Sequence, residues 1–190
     1  MRRVVRRFSE VQVELLLLDR VVNLVEEGID VAVRIGALED SSLIATPVSR
    51  VRRVVCASPE RLESDGVPES PAELSERPCV VFGGLTGGSS WRFLRNGRPV
   101  AVRVGGPFRC NHAAAATEAC AEGLGFGLFL SYQVEGLVRT GKLRVVLREW
   151  EPAPLPVSVV HPDARLMPGR VRAFTDLLKP ALRDRPELEP

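Results

Sequence analysis

The side chains best able to hold a small anion lie in two places. Asn111 precedes and His112 opens HAAAATEACAEG, an alanine-rich run that predicts a helix capped by Asn111 and ended by Gly123. The first turn of such a helix offers free N–H groups and the positive end of the dipole, the best anion site in the chain. An ordinary capped helix would have the same sequence. The second place is the end of VAVRIG, where Arg34 and Gly36 are followed by Ser41 and Ser42 in a polar loop. Arg34 could grip a carboxylate through two parallel hydrogen bonds, or form a salt bridge with Asp30 or Glu39. Phe129 and Ser131 end the apolar strand GLGFGLFL and complete the set of candidate binding residues.

Other chemistries fit less well. A Ser or Cys nucleophile needs a partnered base, and the two histidines, His112 and His161, sit in no GxSxG-like context, so no enzyme is expected. Cys56, Cys79, Cys110 and Cys120 lack CxxC spacing and read as buried thiols rather than a zinc site or disulfides. No cofactor is expected. The glycines of GGLTGGSSWRF have no following Lys-Ser/Thr to cradle a phosphate. Gly123, Gly125 and Gly127 follow a helix and enter a strand, the reverse of a dinucleotide fingerprint.

Positioning those residues is the work of an α/β scaffold. Val11 to Gly36 reads as strand, helix, strand: VQVELLLL is an apolar run suited to a strand covered on both faces. Asp19 can cap the helix, Val21, Leu24 and Val25 share a face, and Gly28 supplies a left-handed stop. The short crossover predicts parallel strands, with ligands at their carboxyl ends. Further on, LIATPVSRVRRVVCA predicts two extended pieces bent at Pro47. Ser58-Pro59 starts a short helix, Ser70 to Glu73 forms a capping box before another, and CVVF is a strand. Asn96-Gly97 predicts a tight hairpin between WRFLR and PVAVRV. Ser131 opens a helix closed by Gly141, and LRVVL is a strand. Pro152, Pro154 and Pro156 mark a linker before the strand VSVVHP. Val171, Phe174 and Leu178 line a last helix that Pro180 ends or kinks, before a frayed tail.

The chain has 190 residues, enough for one or two domains, with 45% hydrophobic and 26% charged residues. A net charge of +2 gives no strong signal for nucleic acid, and the local arginine cluster MRRVVRRF reads as a solvated helix face. No apolar run is long enough to span a bilayer and no signal peptide is evident, so a cytoplasmic protein that does not contact membranes is expected.

Four stretches taken together carry a family resemblance: LLDRVVNLVEEGIDVAVRIGALEDSSLIA, VVCASPERLESDGVPESPAEL, NHAAAATEACAEGLGFGLFLSYQV and GKLRVVLREWEPAPLPVSVVHP. In this order they resemble the effector-binding domain of LysR-type transcriptional regulators, roughly from Phe8 to Leu182. The resemblance implies an α/β fold with two lobes, like a type 2 periplasmic binding protein. Lobe I would comprise residues 1–50 and 156–190, and lobe II residues 51–155. It also implies a truncated N-terminus, because family members start with a winged helix-turn-helix, a linker helix, and a first strand and helix of the effector domain. The family's first strand lies between VQVELLLL and VAVRIG, so its absence would leave a vacant slot in the sheet. The function implied is sensing a small organic effector, often an acid, in the cleft between the lobes. DNA would be contacted only through a helix-turn-helix that is not in this chain, and full-length relatives act as homodimers or tetramers. A stand-alone solute-binding protein and the inactive product of a truncated gene stay open as alternatives.

Overall fold

The structure is a computed structural model that describes residues 12–18, 22–37, 43–83, 88–162 and 168–183. Its strands are β1 (Ala32–Ile35), β2 (Leu43–Val51), β3 (Arg53–Ala57), β4 (Pro78–Phe82), β5 (Ser90–Arg95), β6 (Arg98–Arg103), β7 (Gly105–Cys110), β8 (Phe126–Leu130), β9 (Arg144–Val146) and β10 (Leu155–Pro162). The α-helices are α1 (Pro59–Asp65), α2 (Ala113–Ala121), α3 (Ser131–Arg139) and α4 (Gly169–Arg183). The chain divides into two compact units, residues 1–50 with 155–190, and residues 51–154.

The second unit is built on a five-stranded sheet of order β7-β4-β8-β3-β9. β4 runs parallel to β7 and β8, whereas β3 is antiparallel to β8 and β9. Each central strand is an unbroken apolar run because both faces of the sheet are covered. On one face Val54, Cys56, Val80, Phe82 and Phe129 pack with Ala116 and Cys120 of α2 and Val134 of α3. On the other, Val55, Val81, Phe126 and Leu128 meet Trp91, Phe93, Val102 and Val104 from the β5–β6 region, and Leu62 of α1. Gly127 makes room for the Phe129 ring on the same strand, since a Cβ there would lie 2.2 Å from it.

Local chemistry explains most of this unit's turns. Asn96 and Gly97 have φ of 50° and 75°, the primed-turn geometry that suits a two-residue hairpin, and Arg95 faces Arg98 across it. The Ser58 hydroxyl accepts from the Arg61 N–H at 3.2 Å and caps α1, with Pro59 at the first position. Glu73 accepts from the Ser70 N–H at 2.9 Å, though the helix it starts, Pro71–Ser75, is a 3₁₀ turn. Two features differ from the sequence reading. Asn111 is not the cap of α2; that position is His112, one residue later. GGPFRC forms the edge strand β7, which its glycines and proline conceal.

The first unit departs further. Its sheet has the order β1-β10-β2. Residues 12–18 form no strand, and Leu15, Leu16, Leu17 and Leu18 are exposed, so the expected strand is absent there. β1 therefore has no parallel partner in that segment and pairs antiparallel with β10 instead, Ala32 facing Val160 and Ile35 facing Val157. A leucine run becomes a strand only when a neighbour takes its N–H and C=O groups, and the described residues offer none. Leu24 to Gly28 form a turn; Gly28 adopts φ +65° and Leu24 is buried, while Val25 is exposed. Asp19, Val21, the MRRVVRRF cluster and the tail after Arg183 lie outside the described residues.

Two prolines behave differently from expectation. β2 continues through Pro47, and the break falls at Arg52 instead. β2 is a sheet edge, where a missing N–H donor is tolerated. α4 runs through Pro180 to Arg183 with Val171 and Thr175 buried. Leu155 and Pro156, expected in the linker, already belong to β10.

Candidate functional site

In the first unit, Arg34 is half-buried on β1 and its Nη2 donates to the Val22 carbonyl. That bond ties β1 to the segment ahead of the Leu24–Gly28 turn. Gly36 follows at φ +112°, and its N–H donates to the Pro156 carbonyl at 2.9 Å, holding the strand end against β10. Ser41 and Ser42 lie outside the described residues. Among the described residues, then, the Val22 carbonyl engages Arg34, rather than the Asp30 carboxylate.

In the second unit, Asn111 and His112 are exposed at the N-terminus of α2. No side chain caps that helix at His112. The N–H groups of its first turn are thus open to solvent or a ligand. The C-terminal end of the same helix is closed by main-chain bonds, Gly123 N–H to the Cys120 carbonyl and Leu124 N–H to the Ala119 carbonyl.

Phe129 is fully buried in the core beneath α2 and α3, so its side chain backs the strand rather than facing solvent. Ser131 begins α3. Its N–H donates to the Arg52 carbonyl at 2.9 Å, and its hydroxyl accepts from the Arg52 N–H at 3.4 Å. The polar groups of Ser131 thus hold the chain where β2 passes into β3. Arg52 goes further: its Nη1 donates to both Glu151 oxygens, at 2.9 and 3.2 Å. One residue just after the chain enters the second unit is thereby paired with one just before it leaves. Ninety-nine positions separate the partners, and no local pattern marks either, so sequence reasoning misses the pair.

The thiols and imidazoles show no reactive arrangement. Cys56, Cys79 and Cys120 are buried, Cys110 is half-buried, and all four are free. Burial pushes the Cys79 and Cys120 thiols up to about 12 and raises Cys56 further, which suppresses the nucleophilic thiolate. His161 is buried in β10, with Nδ1 3.1 Å from the Pro162 carbonyl. Among the described residues no group of three or more His, Cys, Asp or Glu could hold a metal ion. No helix among them is long and apolar enough to cross a membrane.

Residues 1–183 match the LysR substrate binding domain family. The chain belongs to that family. It is 34% identical over 185 residues to an HTH-type transcriptional repressor of Pseudomonas aeruginosa, a match covering 96% of this chain and 58% of that protein. A probable HTH-type transcriptional regulator of Klebsiella pneumoniae, LtrA, is 31% identical over 90% of this chain and 57% of its own length. The chain thus spans a little over half the length of these relatives. Among solved structures, the CrgA regulatory domain from Neisseria meningitidis superposes with a TM-score of 0.80 at 28% identity, covering 95% of this chain and 89% of that one. Full-length AphB, a Vibrio cholerae virulence activator, gives 0.83 at 25% identity, covering 95% and 61%. The matched fold is the periplasmic-binding-protein-like α/β class of such regulatory domains, and the relatives are transcriptional regulators rather than enzymes. The matched LysR family is a substrate-binding domain and includes no DNA-binding module.

Proposed function

We propose that this chain senses a small organic carboxylate for a LysR-type transcriptional regulator. The observation that carries the reading is the family match over residues 1–183. The uncapped N-terminus of α2 supports an anionic ligand, because it leaves oriented N–H donors without side-chain acceptors. The contacts we assign are Arg34, Gly36, Ser41 and Ser42 from the first unit, and Asn111, His112 and Ser131 from the second, with Phe129 as apolar backing. The two units serve as lobes I and II of the sensor.

In this reading the ligand is read out by a change in how copies of the regulator associate, as homodimers or tetramers, in the cytoplasm. Promoter DNA is contacted by a helix-turn-helix outside this sequence. Purified protein should therefore give no specific, salt-sensitive retardation of promoter DNA.

The decisive test is calorimetry with a panel of small aromatic and aliphatic acids. Arg34→Gln and Asn111→Ala should each weaken the binding acid by about 1–3 kcal/mol, the usual loss for a charge-assisted hydrogen bond. Unchanged affinity in both variants would remove these residues from the site. Failure of every acid to bind would remove the carboxylate.

A further inference from the structure

Three stretches far apart in sequence line one cleft of about 770 Å³ in the second unit: residues 68–70 with Glu73, Arg95 at the end of β5, and residues 147–150. Leu147 has φ 57°, a left-handed conformation uncommon for leucine, and it turns the chain from β9 into the short 3₁₀ turn Arg148–Trp150. Arg148, Glu149 and Trp150 thereby all reach the cleft. The Trp150 Nε1 donates to the Glu69 carbonyl at 3.2 Å and ties this turn to the 68–73 segment.

The Arg95 guanidinium lies over the Trp150 ring, 4.4 Å from its centroid. Cation–π attraction holds the group there without consuming its N–H donors. Among the described residues those donors meet one carboxylate, Glu149 at 3.4 Å, and the two side chains are 42% and 65% exposed. An ion pair so open to water contributes little and exchanges easily.

The charges lining the cleft narrow what could exchange with it. Glu73 is already satisfied, because its carboxylate accepts from the Glu69 and Ser70 N–H groups, each at 2.9 Å, and from Arg77 at 2.5 Å. Two guanidiniums, Arg95 and Arg148, then stand against two carboxylates, Glu69 and Glu149. A simple anion could reach the arginines only beside both carboxylates, and a simple cation could reach the carboxylates only beside both arginines. A zwitterion avoids both repulsions and can use the guanidinium fork for its carboxylate. Pro68, Leu147 and Trp150 supply apolar surface for the body of such a ligand.

We propose that this cleft binds a free apolar α-amino acid, its carboxylate held by Arg95 and Arg148 and its ammonium by Glu149 and Glu69. The Arg95–Glu149 pair parts as the ligand enters, and each member takes the end of opposite charge. The site lies wholly within the second unit. It uses none of the residues assigned above and stands whether or not they hold a carboxylate effector.

L-leucine, L-methionine and L-phenylalanine are titrated by calorimetry into the full chain, and at least one should bind at a single site. For the one that binds, the methyl ester keeps only the ammonium and the N-acetyl derivative keeps only the carboxylate; each should bind at least about tenfold more weakly. Arg95→Gln and Arg148→Gln should each weaken the amino acid roughly tenfold, since each removes charge-assisted donors. Arg148 is exposed and has no ion pair among the described residues, so its variant tests the site without disturbing the fold. Glu149→Gln should weaken the amino acid but improve the N-acetyl derivative, a reversal that a purely structural role would not produce. Arg103→Gln is the charge control. It lies opposite Ser90, at the other end of the hairpin from Arg95, and should bind like wild type. The proposal is overturned if none of the three amino acids binds, or if a singly charged derivative binds as tightly as its parent. It is equally overturned if Arg95→Gln or Arg148→Gln binds like wild type, or if Arg103→Gln weakens binding as much as they do.

Discussion

The two units treat their apolar residues differently. In the second, Trp91, Phe126, Phe129, Leu74 and Leu143 are almost wholly withdrawn from water, in two layers on either side of one sheet. In the first, Leu17 is 82% exposed and Val25 65%, with Leu15, Leu16, Leu18, Val33, Ile35 and Ile44 also open. Both stretches are equally hydrophobic to read. The difference is partners: β8 lies between β4 and β3, whereas residues 12–18 pair with no described strand. Apolar composition supplies a tendency to be buried, and only a neighbour in the sheet turns that tendency into stability.

The largest expected contrast is in hydrogen exchange. Amides of residues 12–18 should exchange orders of magnitude faster than those of 126–146, because that segment pairs with no described strand. The thiols sharpen this measurement. All four lie in the second unit, so a urea concentration that opens the β1–β10 pairing of the first should leave Cys56, Cys79 and Cys120 unreactive to a thiol reagent, with Cys110 alone modified. Equal, strong protection of both regions, or thiols released together with the first unit, would abolish the contrast.

Single truncations should follow the same division. Phe129→Ala removes a fully buried ring and should cost about 3–5 kcal/mol in urea denaturation. Leu17→Ala, at an exposed position, should stay within about 0.5 kcal/mol. A large loss at Leu17 would mean that this leucine is covered in solution.

Next in size is the pair that joins the ends of the second unit. Glu151→Gln should destabilise by about 1–3 kcal/mol, because Arg52 is left with weaker acceptors in a partly buried setting. Thiol protection would report this loss within the second unit. An unchanged midpoint would show that Ser131 and the strand pairing suffice at that junction.

The smallest effect concerns pH. The Ser70 N–H holds the Glu73 carboxyl below the usual carboxylate range, helped by the Glu69 N–H and Arg77 against partial burial. A depressed carboxyl stabilises the fold above its unfolded pKa, and that stability is lost as pH falls through the lower folded value. Glu73→Gln should thus lower the melting temperature slightly at neutral pH, and the difference should fade in acid below the ordinary carboxylate range. A difference that persists there would assign the effect to packing.

How much could be read in advance depends on how far apart the cooperating residues lie. The Asn96-Gly97 turn, the Ser58 cap, the α2 run and the helix from Ser131 rest on neighbours a few positions away, and the sequence by itself determined them. The candidate residues were legible as types at strand and helix ends, though the α2 cap was misplaced by one because Asn111 suits the position better by type than His112, which occupies it. What only the tertiary structure decided is long-range. It pairs β1 with β10 instead of residues 12–18, carries β2 through Pro47 along a sheet edge, and makes a strand of GGPFRC beside β4. It also joins Arg52 to Glu151 and leaves the Arg53 Nε buried without a hydrogen-bond partner. Each outcome turns on which backbone or charge stands opposite, and periodicity within one segment carries no information about that.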